Sequence, residues 1–208
     1  MTYLKAFIFV VSLAAATSTA FGPSGLITRP APTTAARPAS PAGIERAAAV
    51  RREIEQQNAE VTARLEAAER HLAALQRIAP IVPPRYREAV LEAAAHNDLD
   101  PLDLAAVGYV ESRWDCTAKG SAGEVGCLQL LPSTAAQVAR HVGLTTYDLA
   151  DPSTNIALGA AYLRMQVTAE GGIDRALAAY NGGPAAMERK PLSARAYLGR
   201  VRAAQAKG

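Results

Sequence analysis

The chain has 208 residues, of which 50% are apolar, 5% aromatic and 20% charged, with a formal net charge of +3. That much apolar surface excludes a wholly disordered chain, and so small a charge without a Lys/Arg cluster excludes a nucleic-acid partner. About a fifth of the residues are alanine, the strongest helix former and a poor strand former, so composition favours an all-α protein.

Residues 1–20 read as a secretory signal: Lys5 supplies a positive start, an apolar stretch follows, and Ser18-Thr19-Ala20 offers small residues for cleavage after Ala20. The apolar stretch is short for a membrane span. The mature protein is therefore expected to be soluble and exported to the periplasm. Residues 21–43 are rich in Pro, Ala, Thr and Ser, lack an apolar period, and read as a disordered linker.

Residues 44–79 hold no Gly or Pro before the proline run at 80–84 and predict one long amphipathic helix. Ile54, Val61, Ala68 and Leu75 recur every seven residues with Leu65 and Leu72 between them, which is coiled-coil spacing. Continued backward, the second series reaches Asn58 and Arg51, a polar start to the seam. Two readings stay open: self-association or partner binding through this helix, with Asn58 setting register, and a single helix packed on its own domain or left as a solvated spacer.

A new domain is expected over residues 82–204. After an amphipathic stretch, Asn97-Asp98-Leu99-Asp100-Pro101 is a turn with helix-start signals, Asp100 as N-cap and Pro101 in first position. The helix that follows is almost wholly apolar and carries Glu111 near its C-terminal end. Burial and the negative end of a helix dipole both disfavour a carboxylate, so Glu111 is expected to hold its proton unusually well. A carboxylic acid that is protonated near neutrality is what protonation of a leaving group requires. His71, His96 and His141 are scattered without metal-ligand spacing, and no metal or other cofactor is expected.

The segment Glu111-Ser112-Arg113-Trp114-Asp115-Cys116, running on to Gly126-Cys127-Leu128-Gln129-Leu130-Leu131-Pro132-Ser133-Thr134, resembles the active-site signature of the soluble lytic transglycosylases. Asp151-Pro152-Ser153-Thr154-Asn155 with its following helix, and Ala179-Tyr180-Asn181-Gly182-Gly183-Pro184, resemble the next two motifs of that family in order. Tyr197 to Val201 resembles its closing helix. The resemblance implies a lysozyme-like, all-α domain with at most a small β-hairpin, acting on peptidoglycan glycan strands. Carried over by position, it implies Glu111 as sole acid/base, Ser112 as an orienting residue, Gln129 in contact with the sugars, Tyr180 hydrogen-bonded near Glu111, and Asn181 in the same wall. It implies a non-hydrolytic reaction: Glu111 protonates the oxygen joining N-acetylmuramic acid to N-acetylglucosamine, then accepts the proton of the muramyl 6-hydroxyl as a 1,6-anhydro ring closes. Ordinary glycosidases use two carboxylates, and Asp115 and Glu124 lie close in sequence, so a hydrolytic muramidase stays open, as does a non-catalytic peptidoglycan binder.

This sequence departs from the family pattern where Cys116 and Cys127 replace residues on either side of the loop, and where Gly120 stands in place of a common serine. The chain has no other cysteines. In an exported protein they are expected to form a Cys116–Cys127 disulfide.

Overall fold

The computed structural model describes residues 40–208. The expected signal at 1–20 and residues 21–39 of the expected linker lie outside the described residues. The chain divides into two units, Met1–Arg51 and Arg52–Gly208.

Within the first unit the described residues are Ser40 and the opening turns of helix α1 (Pro41–Ile78). The helix starts three residues before the expected 44, because Pro41 has a φ already suited to a first turn and the Ser40 hydroxyl accepts the Gly43 N–H at 3.2 Å. No helix among the described residues is long and apolar enough to cross a membrane.

In the second unit, residues 52–78 complete α1. Its apolar stripe stays in water as far as Leu72: Ile54, Val61, Leu65 and Leu72 are each at least half exposed. Only the last turns meet the core, where Leu75 packs against it and Ile78 is fully buried. Ile81 and Val82 extend that anchor through a turn. Arg87 closes it, donating to the Val82 and Ala79 carbonyls at 2.9 Å each and so satisfying backbone oxygens beyond the helix end.

Helices α2 (Arg87–His96), α3 (Pro101–Ser112), α4 (Pro132–His141), α5 (Pro152–Glu170), α6 (Ile173–Gly182), α7 (Ala186–Arg189) and α8 (Pro191–Gln205) then build the body of the domain. The described residues contain no strand, only isolated antiparallel bridges between Lys119 and Val125 and between Val125 and Leu130. The described architecture is all-α, as the resemblance implies. Helix α3 lies at the centre: Leu104, Ala105, Ala106, Val107 and Gly108 are consecutively buried, so neighbours cover it on every side. It starts where the sequence predicts, with the Asp100 carboxylate accepting the Leu102 N–H at 2.9 Å.

The end of α3 sets up the site. Arg113 (φ 54°) and Trp114 (φ 65°) both adopt left-handed backbone, reversing the chain so that the Trp114 ring lies against the helix it has just left. Gly108 makes this possible, since a Cβ there would sit 2.6 Å from the ring. Trp114 is 1% exposed and meets Tyr86 with centroids 6.0 Å apart. Burial of so large a ring fixes the exit path of the loop.

Candidate active site

Glu111 lies in the last turn of α3, half-buried, and its Oε1 accepts a hydrogen bond of 2.6 Å from the Tyr197 hydroxyl of α8. Burial is the largest influence on the carboxyl and pushes it above the usual carboxylate range. The Tyr197 bond and the Arg200 charge pull the other way, and the Glu124 charge adds to the upward push. The net shift is upward, towards a protonated acid.

Tyr197 is itself buried, and both burial and the adjacent Glu111 charge hold its hydroxyl well above the ordinary range. It therefore stays a donor across the physiological range. Tyr180 on α6 bonds the loop beside Glu111 and not the carboxyl itself. Its hydroxyl donates to the Leu128 carbonyl at 2.9 Å. Tyr180 still feels the Glu111 charge and stacks obliquely on Tyr162 with centroids 5.0 Å apart.

The loop at 113–131 forms the facing wall, and several independent bonds hold it. A Cys116–Cys127 disulfide closes it. The Ser112 hydroxyl donates to the Cys127 carbonyl at 2.7 Å, which ties the residue after Glu111 to the far side of the loop. Gln129, in left-handed backbone (φ 46°), turns its amide nitrogen inward to the Gly126 carbonyl at 2.8 Å and the Ala118 carbonyl at 3.2 Å. Its amide thus shapes the loop as well as lining it.

Buried Asn155 on α5 is the fastener that sequence reasoning missed. Its Oδ1 accepts the Leu128 N–H at 2.8 Å, and its amide donates to Val125 and Leu149 carbonyls at 2.9 and 3.1 Å. Gly126 (φ +82°) makes room for it, since a Cβ there would meet the Asn155 amide at 2.4 Å. The signal was present, because Asn155 lies in one of the family-like motifs, but its partners in the loop, Leu128 and Val125, are 27 and 30 residues away. Tyr197 was missed likewise, being 86 residues from Glu111.

The two spare acids separate. Asp115 is exposed and accepts the Thr117 N–H and hydroxyl at 3.0 and 2.7 Å, bonds that hold it below the usual carboxylate range. Glu124 faces Glu111 electrostatically, while its Oε2 accepts the Ala122 N–H at 3.0 Å. The Glu124 carboxylate also fills the space a Gly120 side chain would take, with Gln129 Oε1 close by. Glycine at 120 and glutamate at 124 therefore fit one another. Asn181 is exposed at the end of α6.

The described residues contain no cluster of His, Cys, Asp and Glu suited to a metal. A hollow of about 560 Å³ lies between α2 and α5, lined by Glu92, His96, Leu144, Thr154 and neighbours. None of the residues that bracket Glu111 lines it.

Residues 88–200 match the family model described as the Transglycosylase SLT domain. The chain is 35% identical over 112 residues to the membrane-bound lytic murein transglycosylase F of Cellvibrio japonicus, covering 50% of this chain and 21% of that protein. It is 36% identical over 99 residues to a transglycosylase of Enterobacteria phage PRD1, covering 48% and 35%. With the soluble lytic murein transglycosylase of Escherichia coli it shares 35% identity over 108 residues, covering 49% and 17%. This chain thus spans only a sixth to a third of the length of these relatives. Among solved structures, it is similar to an inactive glutamate-to-glutamine variant of the lytic transglycosylase Slt from Pseudomonas aeruginosa, with a TM-score of 0.54, 26% identity, and coverage of 59% of this chain and 24% of that one.

Proposed function

Since the chain belongs to the Transglycosylase SLT domain family, we propose that it is a peptidoglycan lytic transglycosylase in which Glu111 acts alone, first as acid and then as base. The observation that carries this reading is the Glu111–Tyr197 pair: a carboxyl raised by burial and oriented by a 2.6 Å bond from a buried tyrosine. Glu111 gives its proton to the glycosidic oxygen as the bond to muramyl C1 breaks. The N-acetyl group stabilises the positive charge developing at C1. The resulting carboxylate then takes the proton of the muramyl 6-hydroxyl as O6 bonds C1. No water is consumed, and Glu111 ends as it began.

Several features support this reading. Asp115 is committed to its own turn, so the pair of flanking carboxylates that hydrolysis ordinarily uses would have to draw on Glu124. The Pseudomonas aeruginosa relative is inactive with a single glutamate exchanged for glutamine, as expected of a reaction that depends on one carboxyl group. Ser112 and Asn155 hold the loop, while Gln129 and Asn181 present its rim and the opposite rim to the sugar strand. Residues 1–20 direct export to the periplasm and are removed after Ala20, bringing the enzyme to its polymer.

The same proposal gives α1 a separate role, self-association through the exposed stripe of Ile54, Val61, Leu65 and Leu72. In a parallel pair Asn58 would face Asn58, and Arg64 of one helix would meet Glu69 of the other. Sedimentation of the processed protein is expected to give a dimer, and of a Leu65→Glu/Leu72→Glu variant a monomer; a monomer in both cases removes this role.

Mass spectrometry of the muropeptides released from purified sacculi tests the reaction. Products one water lighter than the reducing-end saccharides are expected; hydrated products alone would make the enzyme a muramidase.

A further inference from the structure

Next to Glu111, on the outer side of α3 and α8, lies a second hollow of about 230 Å³ lined by Tyr109, Val110, Arg113, Arg200, Ala203, Ala204 and Lys207. Three of these residues are cationic. Arg113 and Lys207 flank one aromatic ring, with the Arg113 guanidinium carbon 5.6 Å and the Lys207 nitrogen 4.5 Å from the Tyr109 centroid. Lys207 also donates to the Tyr109 hydroxyl at 2.8 Å. Arg200 stands over the Tyr197 ring at 5.3 Å, one residue removed from the Glu111 carboxyl. Among the described residues none of the three forms an ion pair, whereas Arg202, two residues on from Arg200, is taken up by Asp103 and Asp174.

Like charges gathered around one concavity repel each other and create a field that an anion relieves. The hollow is too small for a sugar strand, but it fits a carboxylate on a short side chain. The guanidinium and ammonium groups, held on aromatic faces, offer that carboxylate directed donors.

We propose that this hollow is a subsite for a free carboxylate of the peptide stem that a muramyl residue carries, so that the enzyme favours glycan bearing peptides over bare glycan. The inference rests on the peptidoglycan reading above. The same chemistry would attract a phosphate on a wall polymer. The peptide is favoured because Val110 and Arg200 both border the hollow and flank Glu111, which puts it within a few residues of the bond being cut, where the stem is attached.

The test compares wild type with a Lys207→Glu variant, which reverses one charge of the hollow, on two substrates: glycan strands bearing peptide stems, and the same strands stripped by an amidase. Lys207 bonds Tyr109 and lies outside both the Glu111–Tyr197 pair and the loop at 113–131, and circular dichroism checks that the variant is folded. For wild type, the KM on peptide-bearing strands is expected to be about tenfold lower than on stripped strands, a size typical of two partly exposed ion pairs. The variant is expected to lose that advantage while its kcat on stripped strands is unchanged. Raised salt should reduce the wild-type preference. Equal KM values for wild type on the two substrates, a variant that keeps the preference, or a variant weakened equally on both would overturn the subsite. Competition by inorganic phosphate but not by a free stem peptide would reassign it to a phosphate. A wild type that cleaves neither substrate would instead remove the lytic reading, and the subsite with it.

Discussion

Glu111 lies between two walls built on opposite principles. The loop wall is held by a covalent bond and by neutral hydrogen bonds from Ser112 and Asn155, all of which act on backbone position. The helix wall, α8, contributes one hydroxyl from Tyr197 and a charge from Arg200, which act on the proton of Glu111 itself. In the proposed function the loop side positions the substrate, and the helix side sets the charge of the acid. Substitutions on the two sides should therefore fail in different ways, and that difference can be measured.

The largest effect belongs to the group between the walls. Glu111→Gln is expected to abolish clearing of sacculi, with a loss of about a hundredfold or more; equal clearing by both proteins would remove Glu111 from the chemistry. The same substitution should also change stability, and the sign follows from the raised carboxyl. A group that binds its proton more tightly when folded costs stability once pH exceeds its unfolded value. Glu111→Gln is thus expected to stabilise the fold at neutral pH and to lose that advantage in acid below the ordinary glutamate range. Thermal unfolding at the two pH values measures it.

Next come the two tyrosines, which separate the walls directly. Tyr197→Phe removes a bond to the acid and is expected to lower kcat by about tenfold to a hundredfold. Tyr180→Phe removes a bond to the loop carbonyl of Leu128 and should mainly raise KM. Equal kcat losses from both would mean that the walls do not divide the work as described.

On the loop side, replacing Cys116 and Cys127 by serine opens a short ring and is expected to reduce stability by about 3 kcal/mol in the chain-entropy view. Glu111 should still titrate as before, since the cysteines do not touch it. Denaturant unfolding gives the first quantity and the pH profile the second.

The smallest effects are single charges. In the proposed reaction protonated Glu111 is the active form, so activity is expected to fall as pH rises through its pKa. Arg200 pulls that value down and Glu124 pushes it up. Arg200→Gln should therefore move the alkaline limb of kcat to higher pH, and Glu124→Gln to lower pH. Shifts in the same direction would contradict the electrostatic picture of the site.

Much of this was legible in the sequence, for reasons that differ by residue. The start of α3 is a local event: Asp100 caps and Pro101 begins the helix, and five residues suffice to read it. Glu111 was legible through the motifs that follow it more than through its apolar helix, and the cysteine pair through the expected export and the absence of other thiols. What stayed hidden depends on distant partners. Tyr180 and Tyr197 are both buried aromatics within family-like motifs, and nothing local decides which hydroxyl reaches the acid. The packing of α8 against α3 decides it. Asn155 looked like an ordinary residue in the first turns of a helix until the loop folded onto it. The α1 seam gave a clear period, yet the same period serves water-exposed residues up to Leu72 and core residues from Leu75 onward, and periodicity cannot tell a seam from an anchor.

The fold raises the Glu111 carboxyl above the usual carboxylate range, and the proposed reaction depends on that retained proton. Difference infrared spectroscopy, wild type minus Glu111→Gln, follows the carboxylic C=O band of this one residue through a pH titration. Retention of the proton is expected to show as a band that persists well above the pH at which an exposed glutamate ionises and that shifts in frequency when Tyr197 is changed to Phe. A band lost at the pH of an ordinary exposed glutamate, or one indifferent to Tyr197, would contradict it.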